Sequence, residues 1–197
     1  MPPSPTTPDA ILRCAHSSIV AGGYSGFSYA DIAAVVGIRK ASIHHHFPTK
    51  SDLVRTLVKQ YREQAEVGLD AMERNASDAL EQLRAFTGFW EACIGAPETS
   101  YCLCALLATQ IPVLPDEIVL ELRAYFRTLS AWLQSALERG VREGIITLSG
   151  SPHAEAEALM ATVHGAMSSA RAYGEPEVFA AITRPAIDRL RSAPPNE

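Results

Sequence analysis

The sequence predicts an all-α fold, and three observations carry that prediction. Apolar residues recur at three- and four-residue spacing, and no segment sustains the alternation of a half-buried strand. A hydroxyl residue stands three before an aspartate at Ser28/Asp31 and again at Thr49/Asp52, the capping-box pairing that opens helices. Pro97, Pro112, Pro115, Gly144, Pro152 and Gly174 fall between the periodic stretches, where helix breakers belong.

Each element has a local reason. Ile11, Ala15 and Ile19 repeat every four residues, with Leu12 and Val20 beside them, until Gly22-Gly23 ends the run. Ser28 caps a short helix, YADIAAVV, which Gly37 closes. A second short helix over 40–46 stops at Pro48. Thr49 opens a long amphipathic helix through Leu53, Leu57 and Tyr61 to about Arg74. Further helices are expected near 77–95, 99–110, 115–143, 152–173 and 175–191.

With 47% hydrophobic residues in 197, the chain can build a core, so a disordered protein is excluded. No apolar run approaches the roughly 18 residues that cross a bilayer. The opening MPPSPTTP has no basic region followed by an apolar stretch, so no signal peptide is expected and the location should be cytoplasmic. Cys14, Cys93, Cys102 and Cys104 are then expected as free thiols. The net charge of −5 hides an asymmetry. Residues 1–60 hold six Lys/Arg against three Asp/Glu, and the remainder holds eleven against nineteen. The basic end on an acidic body is the one to meet a polyanion.

Two short helices joined at Gly37 form a helix-turn-helix. In such a pair the first helix braces the second, whose N-terminal side chains meet base edges in the major groove. Ile32, Ala33, Val36, Ile38 and Ile43 should hold the pair together, leaving Arg39, Lys40, Ser42, His44 and His45 outward. Spacing alone leaves a helical hairpin in some other protein as the alternative.

The segment GFSYADIAAVVGIRKASIHHHFPTKSDLV resembles the DNA-binding motif of the TetR family of transcriptional regulators. Gly26-Phe27, Ser28, Ile32-Ala33, Gly37-Ile38, Phe47, Lys50 and Leu53 carry the resemblance without a gap. It implies an all-helical homodimer, usually a repressor of a palindromic double-stranded DNA operator, that leaves the DNA when a small-molecule effector enters the C-terminal domain. The expected layout is a disordered tail at 1–7, a helix-turn-helix DNA-binding domain at 8–60, a ligand-binding and dimerisation domain at 61–192, and a tail at 193–197. No membrane partner, cofactor or metal is expected.

His44, His45 and His46 invite a metal reading, but successive helical residues point about 100° apart and cannot converge on one ion. The resemblance places aromatic, DNA-reaching side chains at His44 and His45, while His46 is expected to pack or cap the helix end. Arg39 stands where many relatives have a capping Ser, and it could reach a phosphate or read a guanine instead. Ala41 replaces a frequent Gly. Ser28 belongs to the expected DNA-binding set with Arg39, Lys40, Ser42, His44, His45 and Lys50. Lys50 has two readings, a solvated lysine or a phosphate anchor at a helix N-terminus.

In the C-terminal part, Leu159, Val163, Ala166 and Ala170, followed by Phe179, Ile182 and Ala186, would build a four-helix bundle with a second copy, or else an internal core. Middle-helix residues could line an apolar effector pocket or simply form core: Phe86, Phe89, Trp90, Cys93, Tyr101, Cys102, Leu106, Phe126, Trp132, Met160, His164 and Met167. Cys102 and Cys104 lie about 200° apart on a helix, which argues against a shared metal and a mutual disulfide. The segment SYCLCALLA resembles that of electrophile- and oxidant-sensing relatives, in which an early-helix cysteine reacts. Cys102 matches it, and a helix dipole would lower its pKa; the alternative is a small buried residue. The competing functions are a thiol-based enzyme, which no catalytic motif supports, and a non-DNA helical interaction protein.

Overall fold

A computed structural model of the chain describes residues 7–95 and 101–192. Helix α1 spans Thr7–Gly22, followed by a 3-10 turn at Tyr24–Gly26. Then come α2 (Tyr29–Val36), α3 (Lys40–His46), α4 (Lys50–Asn75), α5 (Ala79–Ile94) and α6 (Leu103–Ala108). After a 3-10 turn at Ile111–Val113 come α7 (Asp116–Arg142), α8 (Pro152–Tyr173) and α9 (Glu177–Asp188). Among the described residues the nearest thing to a strand is one antiparallel bridge between Ile146 and Arg191.

The caps explain the boundaries. Asp31 Oδ2 accepts from the Ser28 amide and hydroxyl, both at 2.7 Å, and the Ser28 hydroxyl accepts from the Asp31 amide at 3.4 Å. Gly37 ends α2 at φ 74°, a conformation that favours glycine, and its amide reaches the Ala33 carbonyl. Asp78 caps α5 through the Glu81 amide, and Ser151 caps α8 ahead of Pro152. Three expectations shift. Thr7 begins α1 instead of ending a tail, while 1–6 and 193–197 lie outside the described residues. The helix expected at 99–110 is shorter, Leu103–Ala108, with 99 and 100 outside the described residues. The last helix is confined to Glu177–Asp188.

Packing divides the chain into two units. The first comprises residues 1–64 and 102–125, and the second 65–101 and 126–197. No single cut in the chain separates them, because α6 and the first part of α7 join the N-terminal helices.

In the first unit α1 packs on α2, α3 and α6. Ile11, Ala15, Ile19, Ile32, Ile43 and Leu53 are fully buried there. Ala33, Val36 and Ile38 are only half-buried at the helix-turn-helix joint. Gln110 fastens the turn between α1 and α2. Its Oε1 accepts from the Tyr24 amide at 2.8 Å, and its amide lies against Gly23. Ser51 donates to Glu117 at 2.5 Å, and Arg62 pairs with Glu121 at 3.5 Å, joining α4 to α7.

In the second unit α8 packs on α9, and both pack on α5. Leu159, Val163, Ala166, Ala170 and Phe179 are buried within this one chain, so they form its own core and are spent before any second copy arrives. Ile182 and Ala186 are half-buried. Among the residues α8 exposes, with His153, Glu157, Arg171 and Tyr173, is a row of small ones, Ala154, Ala158, Ala161, Gly165, Ser168 and Ala172, spaced by alternating fours and threes.

Candidate nucleic-acid interface and effector region

Helix α3 is anchored through Ile43, which is fully buried, so the positions opposite it turn outward. Arg39, Lys40, Ala41, His44, His45 and His46 are exposed, and Ser42 is half-exposed. A shallow groove of about 500 Å³ runs along this face between Thr7, Ile38, Arg39, Ala41, Ser42, His45 and His46. Arg39 precedes the first helical residue with extended backbone, and its side chain makes no capping bond.

The three histidines diverge. His44 Nδ1 lies 3.1 Å from the Pro48 carbonyl, with its ring edge-on to Tyr29 at 4.8 Å. That carbonyl can only accept, so the bond places a proton on Nδ1. His45 and His46 meet edge to face at 5.2 Å. His46 is exposed and does not cap α3; the Phe47 amide does so, on the Ile43 carbonyl.

Ser28 and Lys50 are partly committed to the fold. The Ser28 hydroxyl closes the capping box described above. Lys50 Nζ donates to the Phe27 carbonyl at 2.5 Å and sits over the Phe27 ring at 4.1 Å and the Tyr24 ring at 4.9 Å. Burial lowers its pKa, and Asp31 opposes the shift. An ammonium has three donors, so two remain for an outside acceptor.

Tyr29 is the residue that sequence reasoning missed. Its hydroxyl lies 2.8 Å from the Phe47 carbonyl and 2.6 Å from that of Thr49, tying α2 to the turn that follows α3. Burial first, then Asp52 and Tyr24, push its pKa up to about 12, so it stays a neutral donor. The available signal was an aromatic at the first position of α2, since a buried tyrosine hydroxyl needs a partner.

The expected effector residues are spread over both units. Cys102 and Leu106 belong to the first unit and the others to the second. Phe89 is 49% exposed. On α5 the buried arc runs through Leu83, Phe86, Thr87, Trp90 and Ile94, and the 100° step turns Phe89 away and leaves Cys93 at the edge. Phe86 meets Trp132 at 5.8 Å, and Phe126 meets His164 at 5.5 Å. Trp90, Met160 and Met167 are buried. Tyr101 shares a 2.7 Å hydrogen bond with Ser168, under the Arg171 guanidinium at 5.4 Å. Trp132 Nε1 and His164 Nε2 are buried polar atoms with no hydrogen-bond partner among the described residues. Desolvation takes the His164 pKa down to about 4, so the ring is neutral. One cleft in this unit is lined by Arg84, Thr87, Gly88, Glu91, Arg184, Ile187 and Asp188 and carries Arg84–Asp188 and Arg184–Glu91 ion pairs at 3.0 and 2.7 Å.

Cys102 differs most from expectation. It is the N-cap of α6, not part of its first turn, and Sγ accepts from the Ala105 amide at 3.4 Å, with the Tyr125 hydroxyl 3.5 Å away. The side chain is fully buried, and desolvation raises its pKa against those hydrogen bonds. The lowered pKa expected from the helix dipole is therefore reversed. Cys104 is also fully buried and pushed well up.

A helix-turn-helix with an outward basic second helix, followed by a helical domain, defines a class of DNA-binding regulator. The family model for bacterial regulatory proteins of the tetR family matches residues 11–57, and that for the tetracyclin repressor-like C-terminal domain matches 79–185. The chain is 58% identical to a TetR-family transcriptional regulator from Agrobacterium tumefaciens, over 94% of this chain and 97% of that one, with a TM-score of 0.92. A TetR regulator from Legionella pneumophila is 26% identical over 96% and 100% of the two chains, with a TM-score of 0.86. The reduced form of E. coli NemR shares the fold at 18% identity, with coverage of 96% and 99% and a TM-score of 0.84. No curated protein matches the chain. The chain belongs to the TetR family and is a transcriptional regulator. Among the described residues no helix is long and apolar enough to cross a membrane.

Proposed function

We propose that the protein is a homodimeric repressor that binds a palindromic operator through two copies of α3 and is released by a small apolar effector. The observation that carries this reading is the outward face of α3, where Lys40 is exposed and Arg39, Ser42 and His45 line a groove with no carboxylate in its lining. Lys50 and His44 flank that face, and Ser28 holds α2 in place. The domain reading keeps residues 8–60 for DNA and 61–192 for ligand and dimer contacts.

Dimerisation is supported by the small residues exposed along α8. Such a row lets a second helix approach closely, and a twofold dimer presents two recognition helices to two half-sites. A largely apolar effector is supported by the buried Phe86, Trp90, Met160 and Met167, and one polar group on it would answer to Trp132 Nε1 or His164 Nε2, which are buried polar atoms beside the Phe86 and Phe126 rings. Reversible binding is favoured over modification of Cys102 because a thiol must be accessible and ionised to react, and burial opposes both. The direct test is selection of bound duplexes from random DNA, which should enrich an inverted repeat. Lys50→Ala should weaken binding to every sequence and reduce the salt slope by about one phosphate contact. Failure to enrich any repeat would remove the operator reading.

A further inference from the structure

Within the operator-binding reading, we propose that Arg39 reads a guanine in each half-site through paired hydrogen bonds to O6 and N7. Four observations lead there. First, Arg39 stands at the start of α3, on the part of a recognition helix that meets base edges, and it lines the groove beside Ala41, Ser42 and His45. Second, its guanidinium is uncommitted. Arg55 faces Asp52 at 3.7 Å, Lys59 faces Glu63 at 3.9 Å, and Lys50 donates to the Phe27 carbonyl, whereas Arg39 has no such partner among the described residues. Third, no carboxylate lines the groove beside it, so none there competes for the guanidinium. Fourth, its side chain does nothing for the helix it precedes. A serine or aspartate at this position would cap α3, and Arg39 leaves the first-turn amides to other partners.

The chemistry selects guanine. Only the guanidinium on this face offers two parallel N–H donors in one plane, and guanine alone presents two adjacent acceptors in the major groove. The two ring nitrogens of His45 diverge and cannot donate in parallel to one base edge, and Ser42 cannot separate the bases. Lys40 carries a compact charge on a flexible stem, which suits a phosphate.

The test compares the full-length parent with Arg39→Ala in selection from random duplexes, followed by titration of the selected operator with 7-deazaguanine at the assigned position. The parent should fix one guanine per half-site; exchanging it for another base should weaken binding by about 5- to 150-fold, and 7-deazaguanine, which keeps O6, should weaken it less. Arg39→Ala should keep the remaining positions and the half-site spacing, lose the preference for guanine, and be indifferent to removal of N7. Three results would overturn the assignment. One is an Arg39→Ala protein that selects the same guanine and responds equally to 7-deazaguanine. Another is weakened binding to all sequences alike with a shallower salt slope, which marks a phosphate contact. The third is a parent repeat without a fixed guanine opposite α3. If the parent enriches no repeat at all, the operator reading itself falls. Melting of both proteins controls for folding; an exposed, unpaired arginine should leave it unchanged.

Discussion

Gly23→Ala tests how the helix-turn-helix is seated. Gly23 has φ 74° and ψ −173°, a region essentially reserved for glycine, where a Cβ costs about 1–3 kcal/mol. A Cβ there would lie 2.2 Å from Gln110 Nε2 and 2.9 Å from Oε1. The amide group must move away, and with it goes the 2.8 Å hydrogen bond from the Tyr24 amide, worth about 1 kcal/mol. The expected cost is therefore about 2–4 kcal/mol, or a fall in Tm of roughly 4–16 °C for a chain of this size. Gln110→Ala alone should cost about 1 kcal/mol. In the double variant the hydrogen bond is lost only once, so its cost should match that of Gly23→Ala and fall about 1 kcal/mol short of the sum. Denaturant unfolding of the four proteins at equal concentration measures this. Additive costs would show that Gln110 is not what Gly23 accommodates, and a Gly23→Ala cost under about 0.5 kcal/mol would refute the strain argument as well.

Three further outcomes are expected. Tyr29→Phe should lose about 1–2 kcal/mol and weaken DNA binding, because the turn after α3 loses its tie to α2; unchanged unfolding and gel-shift midpoints would show the hydroxyl to be idle. His164 is neutral in the folded chain down to about pH 4, whereas the unfolded chain takes up its proton near 6.5, so stability should fall as pH drops through that window and level off below it. At its steepest this slope is about 1.4 kcal/mol per pH unit, and His164→Leu should remove that part of it in unfolding titrations. A soft electrophile should label native Cys102 more slowly than Cys14 or Cys93, both partly exposed, as mapped by mass spectrometry. Cys102 labelled first, with loss of DNA binding that Cys102→Ser abolishes, would restore covalent sensing.

The helices and the recognition face were legible in the sequence because their causes are local. Ser28/Asp31, Gly37 and Pro48 act within a few residues, and they placed α2 and α3 at 29–36 and 40–46. Ile43 likewise fixes which way α3 faces, so helical periodicity was enough to turn Arg39, Lys40, His44 and His45 outward. The effector region was less legible. Apolar composition marked Phe89 and Trp90 alike, and only packing exposes the first and buries the second. Leu159, Val163 and Phe179 carried the same pattern whether they served a dimer or their own chain, and α5 decided for the chain.

What the sequence determined alone was the set of helices, the ends of α2 and α3, and the face of α3. The tertiary structure decided the rest: that Tyr29 holds the turn after α3, that Gln110 meets Gly23 from far along the chain, and that Cys102 is a buried cap with a raised pKa. Hydrogen-bonded caps and side-chain periodicity depend on neighbours along the chain. Desolvation and long-range hydrogen bonds depend on which distant residues fill the space around a group, and no local pattern records that.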